Sequence, residues 1–297
     1  MKRTVFKGTA CALVTPFDEN RKIDYKALKK QIDYQIENST DALVVCGTTG
    51  ESATLNSREW RQVVKTAIKH TDRRIPVIVG TGGNCTVEVI KRSISAESMG
   101  ADALLIVTPY YNKCSQEGLI EHYRQISESV SIPIILYNVP SRTGVNILPE
   151  TYKRLSKIEN IVATKEANGD LSAIMKTMML CGDELDIYCG NDDQSAAFTL
   201  LGGMGTISVL SNIMPQQAHD IVSAALDGDA NYATALQLRY LALCNALFCD
   251  VNPIPVKYAM YQIGTDSGIC RLPLTALNEK SKETLNHCLH YHGLIEQ

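Results

Sequence analysis

Short, continuously apolar segments recur along the chain, and amphipathic helical patterns lie between them. Apolar runs without alternation are typical of strands that are buried on both faces of a parallel sheet. The spacing of the runs corresponds to one strand and one helix per unit. The predicted strands are Thr9 to Val14, Ala42 to Cys46, Pro76 to Gly80, Ala103 to Thr108, Ile132 to Asn138, Ile161 to Lys165, Leu185 to Cys189 and Thr206 to Leu210.

Helix-start signals separate these strands. Asp24 precedes one helical pattern, and Asn56 lies three residues before Glu59 in the spacing of a capping box. Pro149 and Pro215 each suit the first turn of a helix. Eight unbroken strand and helix units favour an α/β fold of the closed (β/α)8 TIM barrel type over an open doubly wound sheet.

The pattern changes after Gly228, where strand signals stop. The segments Asn231 to Phe248, Pro253 to Gln262 and Pro273 to His290 indicate three helices. We therefore predict a catalytic barrel over residues 1–228 and a helical C-terminal region over residues 229–297. Alanine, leucine and cysteine occur on more than one face of the first of these helices, which indicates packing or oligomer contact.

Composition and charge exclude several classes of partner. Hydrophobic residues make up 45% of the 297 residues and charged residues 21%, as in a globular protein. The net charge is 29 minus 32, or −3, without a long basic run, so no nucleic-acid partner is expected. No apolar run approaches the roughly 20 residues that span a bilayer. The N-terminal segment lacks a signal-peptide cleavage pattern, and we expect a cytoplasmic location and no membrane partner.

The cysteines and histidines carry no recognisable site. Ten cysteines include no C-x-x-C pair, and in a reducing cytosol all ten are expected to be thiols. His287, His290 and His292 cluster near the C-terminus, but their spacing does not place them on one helix face. No metal site is predicted.

Lys165 is the least expected residue in the predicted strands. It ends the apolar run that begins at Ile161, and lysines are rarely buried unless they are paired or used. Burial favours the neutral amine, which is a nucleophile for carbonyl carbon. A lysine with its charge in solvent is the alternative.

The predicted strand ends supply hydroxyls, a lysine and an arginine rather than grouped carboxylates. Reactive groups of such barrels gather at the carboxyl ends of the strands. Only the scattered Glu51, Glu166 and Asp192 are available there, which disfavours a metal-assisted enolising barrel or a retaining glycosidase.

Three motifs resemble those of one family, and the resemblance runs from Phe6 to at least Arg271, nearly the whole chain. They are Gly47-Thr-Thr-Gly-Glu-Ser, Tyr137-Asn-Val-Pro-Ser-Arg-Thr-Gly and Lys165-Glu166-Ala. This combination resembles the pyruvate-dependent class I aldolases and lyases of the N-acetylneuraminate lyase family. The resemblance implies a TIM barrel that forms an imine with pyruvate and needs neither a metal nor an organic cofactor.

The resemblance also implies roles for individual residues. Lys165 forms the imine, and Tyr137 is the general acid and base beside it. Thr48 and Tyr111 complete a hydroxyl relay to Tyr137, which suits a site without histidine. In the family, the relay tyrosine that Tyr111 matches comes from the neighbouring subunit, so a homodimer is the minimal active unit. The family commonly forms tetramers of two tight dimers.

Substrate recognition is implied at four further positions. Thr49 and the backbone at Gly190 and Ile207 hold the pyruvate carboxylate. Arg142 matches the arginine that, in family members acting on aspartate semialdehyde, grips the carboxylate of that substrate through its planar fork. Sialic acid lyases and sugar-acid aldolases generally lack this arginine.

Some family members bind lysine in a cleft at the dimer interface. The matching positions here are Ser52, Ala53, Asn84, Glu88 and Tyr110. Glu88 supplies a carboxylate for the lysine ammonium. Trp60 departs from the histidine that lysine-sensitive relatives often carry, and its indole either stacks on the ligand or fills the cleft. Lysine inhibition is therefore an open hypothesis.

The function that the resemblance implies is condensation of pyruvate with aspartate semialdehyde, on the diaminopimelate route of lysine biosynthesis. One alternative is a sugar-acid or N-acetylneuraminate lyase with the same lysine. A second alternative is a keto-acid-binding sensor without turnover, which would not need a proton relay.

Overall fold

The computed structural model describes residues 2–296, and eight parallel strands in it close into a barrel in chain order, with β1 beside β8. The predicted (β/α)8 fold is confirmed. The strands are β1 Gly8–Ala12, β2 Ala42–Val45, β3 Val77–Gly80, β4 Ala103–Val107, β5 Ile134–Asn138, β6 Ile161–Glu166, β7 Asp186–Cys189 and β8 Gly205–Ser208.

The strands β1 and β8 each end two residues earlier than the apolar pattern predicts, because backbone donors beyond them bond to side chains. The Val14 N–H donates to Asn212 Oδ1 at 3.2 Å instead of to a neighbouring strand. Beyond β8, the N–H groups of Val209 and Leu210 donate to Asp192 Oδ2 at 2.8 and 3.0 Å. The loops that follow the strands are therefore anchored by buried polar side chains, which an apolar pattern does not reveal.

The helices begin largely where their start signals indicate. Asp24 caps the first helix, Asn56 and Glu59 form the predicted capping box, and Pro149 and Pro215 are first helical residues. The helices are α1 Tyr25–Glu37, α2 Ser57–Thr71, α3 Thr86–Ser98, α4 Gln116–Ser127, α5 Pro140–Thr143, α6 Pro149–Leu155, α7 Leu171–Cys181, α8 Ser195–Leu200, α9 Pro215–Leu226, α10 Ala230–Ala246, α11 Ile254–Gln262 and α12 Glu279–Tyr291.

The barrel interior is filled by side chains and closed at its N-terminal end. Small residues such as Ala10 and Ala42 face Val44 and Ile78 in one buried cluster. The Phe6 ring, which precedes β1, stacks on Tyr188 with ring centres 4.2 Å apart. Such a filled interior leaves space for a ligand only at the opposite end, where the strands terminate.

The C-terminal helices α10 to α12 pack against the barrel in one buried cluster with Val14, Leu210 and Ile213. The helix predicted from Pro273 is wrong at its start, because α12 begins at Glu279, where Asn278 accepts from the Ser281 N–H. The division into residues 1–228 and 229–297 stays a prediction, and its outer ends, residues 1 and 297, lie outside the described residues. No helix in the described range is long and apolar enough to cross a membrane.

Candidate active site

Strand register places Lys165 of β6 beside Tyr137 of β5. Both residues are nearly buried, with 6% and 7% of their surfaces exposed, and Lys165 Nζ lies 4.6 Å from the centre of the Tyr137 ring. Within residues 2–296, this ammonium makes no salt bridge or hydrogen bond. A buried amine without a carboxylate partner is suited to nucleophilic attack on a carbonyl.

The two side chains line a cavity of about 180 Å³ at the carboxyl end of the barrel. This volume is below the roughly 300–1,000 Å³ of sites for larger ligands, so it suits a small substrate. Six of the eight predicted catalytic and substrate-binding residues line it: Thr48, Thr49, Tyr137, Arg142, Lys165 and Gly190. Ile207 lies outside this lining, fully buried on β8. Tyr111 also lies outside it.

Gly190 allows the backbone after β7 to approach Lys165. A Cβ atom at Gly190 would lie 3.0 Å from Lys165 Cε and 2.8 Å from the Ala167 Cβ. These distances are shorter than side chains tolerate, so a glycine is required for the close approach. The Gly190 N–H donates to the Glu166 carbonyl at 2.8 Å, which holds this stretch of backbone against the lysine side chain.

The predicted hydroxyl relay is not connected within one described chain. Thr48 is exposed, and its hydroxyl makes no hydrogen bond to Tyr137 in the described range. The side chain of Tyr111 is 89% exposed, and its backbone φ of 72° lies in the left-handed region, which is uncommon outside glycine. Tyr111 therefore projects away from its own cavity.

A buried ion pair holds the turn that carries Thr48 and Thr49. Glu51 ends this turn with a φ of 50°, and its carboxylate accepts from Lys257 Nζ at 2.8 Å and from the Arg271 N–H at 2.9 Å. Lys257 is fully buried and also donates to the Thr15 carbonyl at 2.9 Å. This pair was not predicted from the sequence, because only the fold brings α11 to the end of β2.

Asn252 is a second residue that the sequence analysis missed. It lies between α10 and α11, and its Nδ2 donates to Thr49 Oγ1 at 2.9 Å. Its backbone carbonyl accepts from Arg142 Nη2 at 3.4 Å, which links the mouth of the cavity to its floor. Asn252 Oδ1 is buried without a partner in the described range, so an acceptor is available at the cavity wall. Its position in a Pro-rich segment was the only signal in the sequence.

Glu166 follows Lys165 but points to the opposite face of β6, as side chains do along a strand. Its carboxylate accepts from Asn138 Nδ2 at 2.9 Å, from the Tyr152 hydroxyl at 2.8 Å and from the Asn168 N–H at 3.0 Å. Burial raises the pKa of Glu166 to about 7, and these hydrogen bonds oppose the rise. Glu166 thus fixes β6 from behind and does not face the cavity.

The positions predicted for lysine binding are only partly brought together. Ser52, Ala53 and Tyr110 line a second cavity of about 300 Å³. Glu88 is instead exposed and paired with Lys91, with Oε1 and Nζ 2.7 Å apart. Trp60 is a core residue with 2% exposure, and its indole N–H donates to the Gly80 carbonyl at 3.2 Å.

Asn84 is half-buried next to this region, and its backbone carbonyl accepts from Asn112 Nδ2 at 2.9 Å. The sequence left two alternatives for the indole of Trp60, stacking on a ligand or filling the cleft. Stacking would require the indole to leave the core. Ser52 and Tyr110 thus form a polar wall of the predicted cleft, whereas the carboxylate of Glu88, which was predicted to bind the ligand ammonium, is turned to the surface.

Comparison with known proteins agrees with this geometry. The family model described as the dihydrodipicolinate synthetase family matches residues 5–292. A 4-hydroxy-tetrahydrodipicolinate synthase of Caldicellulosiruptor saccharolyticus is 50% identical over 290 residues, which cover 98% of each chain.

Two solved structures share the whole architecture. A chloride-inhibited dihydrodipicolinate synthase of Acinetobacter baumannii, complexed with pyruvate, is 43% identical with a TM-score of 0.96, over 98% of this chain and 100% of that one. An enzyme of Cyanidioschyzon merolae with lysine bound is 34% identical with a TM-score of 0.95, over 99% and 100% of the two chains. With the motifs in register and the relatives matched from end to end, this chain belongs to the dihydrodipicolinate synthetase family.

Proposed function

We propose that this protein condenses pyruvate with L-aspartate 4-semialdehyde to 4-hydroxy-tetrahydrodipicolinate, the compound after which its relatives are named. The product belongs to the diaminopimelate route of lysine biosynthesis. The observation that carries the proposal is an unpaired, nearly buried Lys165 beside Tyr137, in a small cavity with Arg142 at its mouth. A lyase that works through a Schiff base needs this combination of an amine, a hydroxyl and a carboxylate contact.

In the proposed reaction, the Lys165 amine attacks the keto carbon of pyruvate and water leaves to give an imine. Loss of a proton from the methyl carbon then gives an enamine, whose carbon attacks the aldehyde of the second substrate and restores the imine to Lys165. The amino group of the second substrate then attacks the imine carbon, which closes the ring and releases the Lys165 amine. Tyr137 is the proposed proton donor and acceptor, because its ring lies against the lysine. Thr49 and the backbone at Gly190 and Ile207 are the proposed contacts of the pyruvate carboxylate.

Arg142 is the proposed contact of the semialdehyde carboxylate. It lines the mouth of the cavity, and among residues 2–296 its guanidinium makes one weak hydrogen bond, to the Asn252 carbonyl. A fork of free N–H donors is suited to a carboxylate. A sugar-acid or sialic acid lyase has no matching carboxylate at this point of its aldehyde substrate, so that alternative is not favoured.

Borohydride reduction in the presence of pyruvate tests the imine. We expect a mass increase on Lys165 in the intact protein and none in the Lys165→Ala variant. The Arg142→Ala variant should still give the adduct, but its KM for aspartate semialdehyde should rise by about 10- to 100-fold, since a charged hydrogen-bond pair is lost. Arg142→Lys keeps the positive charge but lacks the planar fork, so its KM for aspartate semialdehyde should lie between the values of wild type and Arg142→Ala.

Three results would contradict these assignments. An adduct on another residue would refute the role of Lys165. Unchanged kinetics of Arg142→Ala would refute the choice of aldehyde. Adduct formation without turnover of any aldehyde would support the keto-acid sensor instead.

A homo-oligomer in the cytoplasm completes the proposal. The exposed Tyr111 can serve as a relay hydroxyl only in the cavity of a second subunit, so the proposed minimal unit is a dimer. Leu200, Leu201 and Met179 are exposed apolar side chains at or next to α7 and α8, which supports a further, weaker contact and a tetramer. Ten free cysteines suit a reducing compartment.

Lysine inhibition stays a hypothesis for the second cavity. Ser52 and Tyr110 support it, and Glu88 would have to leave Lys91 to hold an ammonium. Initial rates measured across a lysine titration test it, and a curve that stays flat into the millimolar range would contradict it.

A further inference from the structure

The second cavity is continuous with the first. Its volume is about 300 Å³, and it shares Thr48, Val139, Arg142 and Asn252 with the cavity that contains Lys165. We call it the vestibule. The other residues of its lining that matter here are Glu51, Ser52, Arg92, Tyr110, Pro253 and Leu274. A molecule in the vestibule therefore lies next to Arg142, the proposed contact of the second substrate.

The vestibule has an excess of positive charge. Arg92 is half-buried and makes no salt bridge or hydrogen bond within residues 2–296. The nearest acidic residue on its helix, Glu88, is paired with Lys91. The carboxylate of Glu51 is taken by Lys257 and by the Arg271 N–H. The charges left without a partner in the lining are consequently those of Arg92 and Arg142.

The neutral groups of the vestibule favour the same class of ligand. The hydroxyls of Ser52 and Tyr110 make no hydrogen bond in the described range and can donate to an oxyanion. Pro253 and Leu274 supply apolar wall, which strengthens electrostatic contacts by excluding water. A guanidinium that is half-buried without a partner is uncommon, because its five donors lose water without compensation.

We propose that the vestibule binds small dicarboxylates of about four to six carbons, with Arg92 as an outer carboxylate contact that supplements Arg142. Because Arg142 is shared, such a ligand competes with the second substrate and leaves the pyruvate imine intact. The competition rests on the proposed function, whereas the binding itself does not. Arg92 also places a second guanidinium near the carboxylate of the second substrate, which is a zwitterion, as that substrate approaches Arg142.

Calorimetric titration of the pyruvate-loaded enzyme with glutarate tests the binding directly. At constant ionic strength, Arg92→Gln should weaken glutarate binding by about five- to tenfold, as expected for loss of one partly exposed charged hydrogen-bond pair. Arg92→Lys should recover part of the affinity. The matched control is Arg61→Gln, which removes an exposed arginine of α2 outside the vestibule and should change the affinity by less than about twofold.

Steady-state rates give the second measurement. Glutarate should be competitive with aspartate semialdehyde, and Arg92→Gln should raise the KM for that substrate while the yield of borohydride-trapped imine stays unchanged. Butyrate, with one carboxylate, should lose no affinity in Arg92→Gln.

The proposal is overturned if Arg92→Gln and Arg61→Gln bind glutarate alike, or if the loss in Arg92→Gln is the same for butyrate as for glutarate. Failure of the proposed function has a different signature. In that case wild-type enzyme does not turn over aspartate semialdehyde, and the glutarate titrations still decide whether Arg92 is a carboxylate contact.

Discussion

Two buried lysines in this chain differ in their partners. Lys165 has none among the described residues and lies over the Tyr137 ring, whereas Lys257 is paired with Glu51 and bonded to the Thr15 carbonyl. A buried ammonium must be compensated or used, because removing it from water costs several kcal/mol. The unpaired lysine thus belongs to the proposed chemistry, and the paired one positions the turn that carries Thr48 and Thr49.

Lys257→Met should destabilise the fold and slow the reaction. Breaking one side of a buried ion pair leaves Glu51 charged and unpaired, which costs about 3–5 kcal/mol. The turn at the end of β2 then loses its anchor, so kcat should fall at least about tenfold. Urea unfolding and initial rates measure the two effects.

The double variant Glu51→Gln/Lys257→Met is the control for that prediction. It removes both charges, and it should recover part of the lost stability, because the two residues act as a coupled pair. If the loss of stability in the double variant equals the sum of the losses in the two single variants, the pair does not act as a unit.

At the scale of elements, β6 separates two kinds of polar group. One face carries Lys165 into the cavity, and the other carries Glu166 to Asn138 and Tyr152. The alternation of side chains along a strand produces this separation. The loop before α11 has a comparable role, since it brings Asn252 from the C-terminal region to Thr49 and Arg142.

The carboxyl of Glu166 should make stability depend on pH. Its pKa is about 7 in the folded protein and near 4.5 when unfolded, so the folded state binds more protons between these values. Stability therefore falls as pH rises from about 5 to 7, by up to about 3 kcal/mol, and levels off above this range.

Glu166→Gln should remove this component of the pH dependence. The variant should gain stability relative to wild type between pH 5 and pH 8, in urea unfolding at one protein concentration. Glu283→Gln, at an exposed site, is the control and should leave the pH profile unchanged. Parallel profiles for wild type and Glu166→Gln would argue that Glu166 ionises normally in the folded protein.

At the scale of the whole molecule, one chain does not contain a complete relay. Tyr111 is exposed and held at a positive φ, away from Thr48 and Tyr137 of its own cavity. Such a conformation is stable only where surrounding structure favours it, and a second subunit can supply that structure.

Mixing two inactive variants tests whether Tyr111 acts across an interface. Tyr111→Phe should lower kcat strongly while still forming the imine, and Lys165→Ala should be inactive. After unfolding and refolding of an equal mixture, half of the dimers are hybrids with one complete site, so activity should recover to about a quarter of wild type. Activity equal to the mean of the two parents would place Tyr111 in its own subunit's site.

The fold and the place of a buried lysine at the end of a strand could be predicted from local patterns. Eight apolar runs predicted the barrel, because strands buried on both faces need continuous apolar segments. Lys165 was conspicuous because it interrupts such a run. The start of α12 was predicted six residues early at Pro273, since a proline suits a first turn but does not require one, and Asn278 caps the helix instead.

The sequence by itself determined the barrel, the position of the proposed reactive lysine and the family, since these depend on local periodicity and contiguous motifs. Only the tertiary structure decided the pairing of Glu51 with Lys257, the place of Asn252 beside Thr49, the burial of Trp60 and the unpaired charge of Arg92. Glu51 and Lys257 are about 200 residues apart in the chain, and so are Thr49 and Asn252. These contacts depend on closure of the barrel and on docking of the C-terminal helices, so no local sequence pattern predicts them.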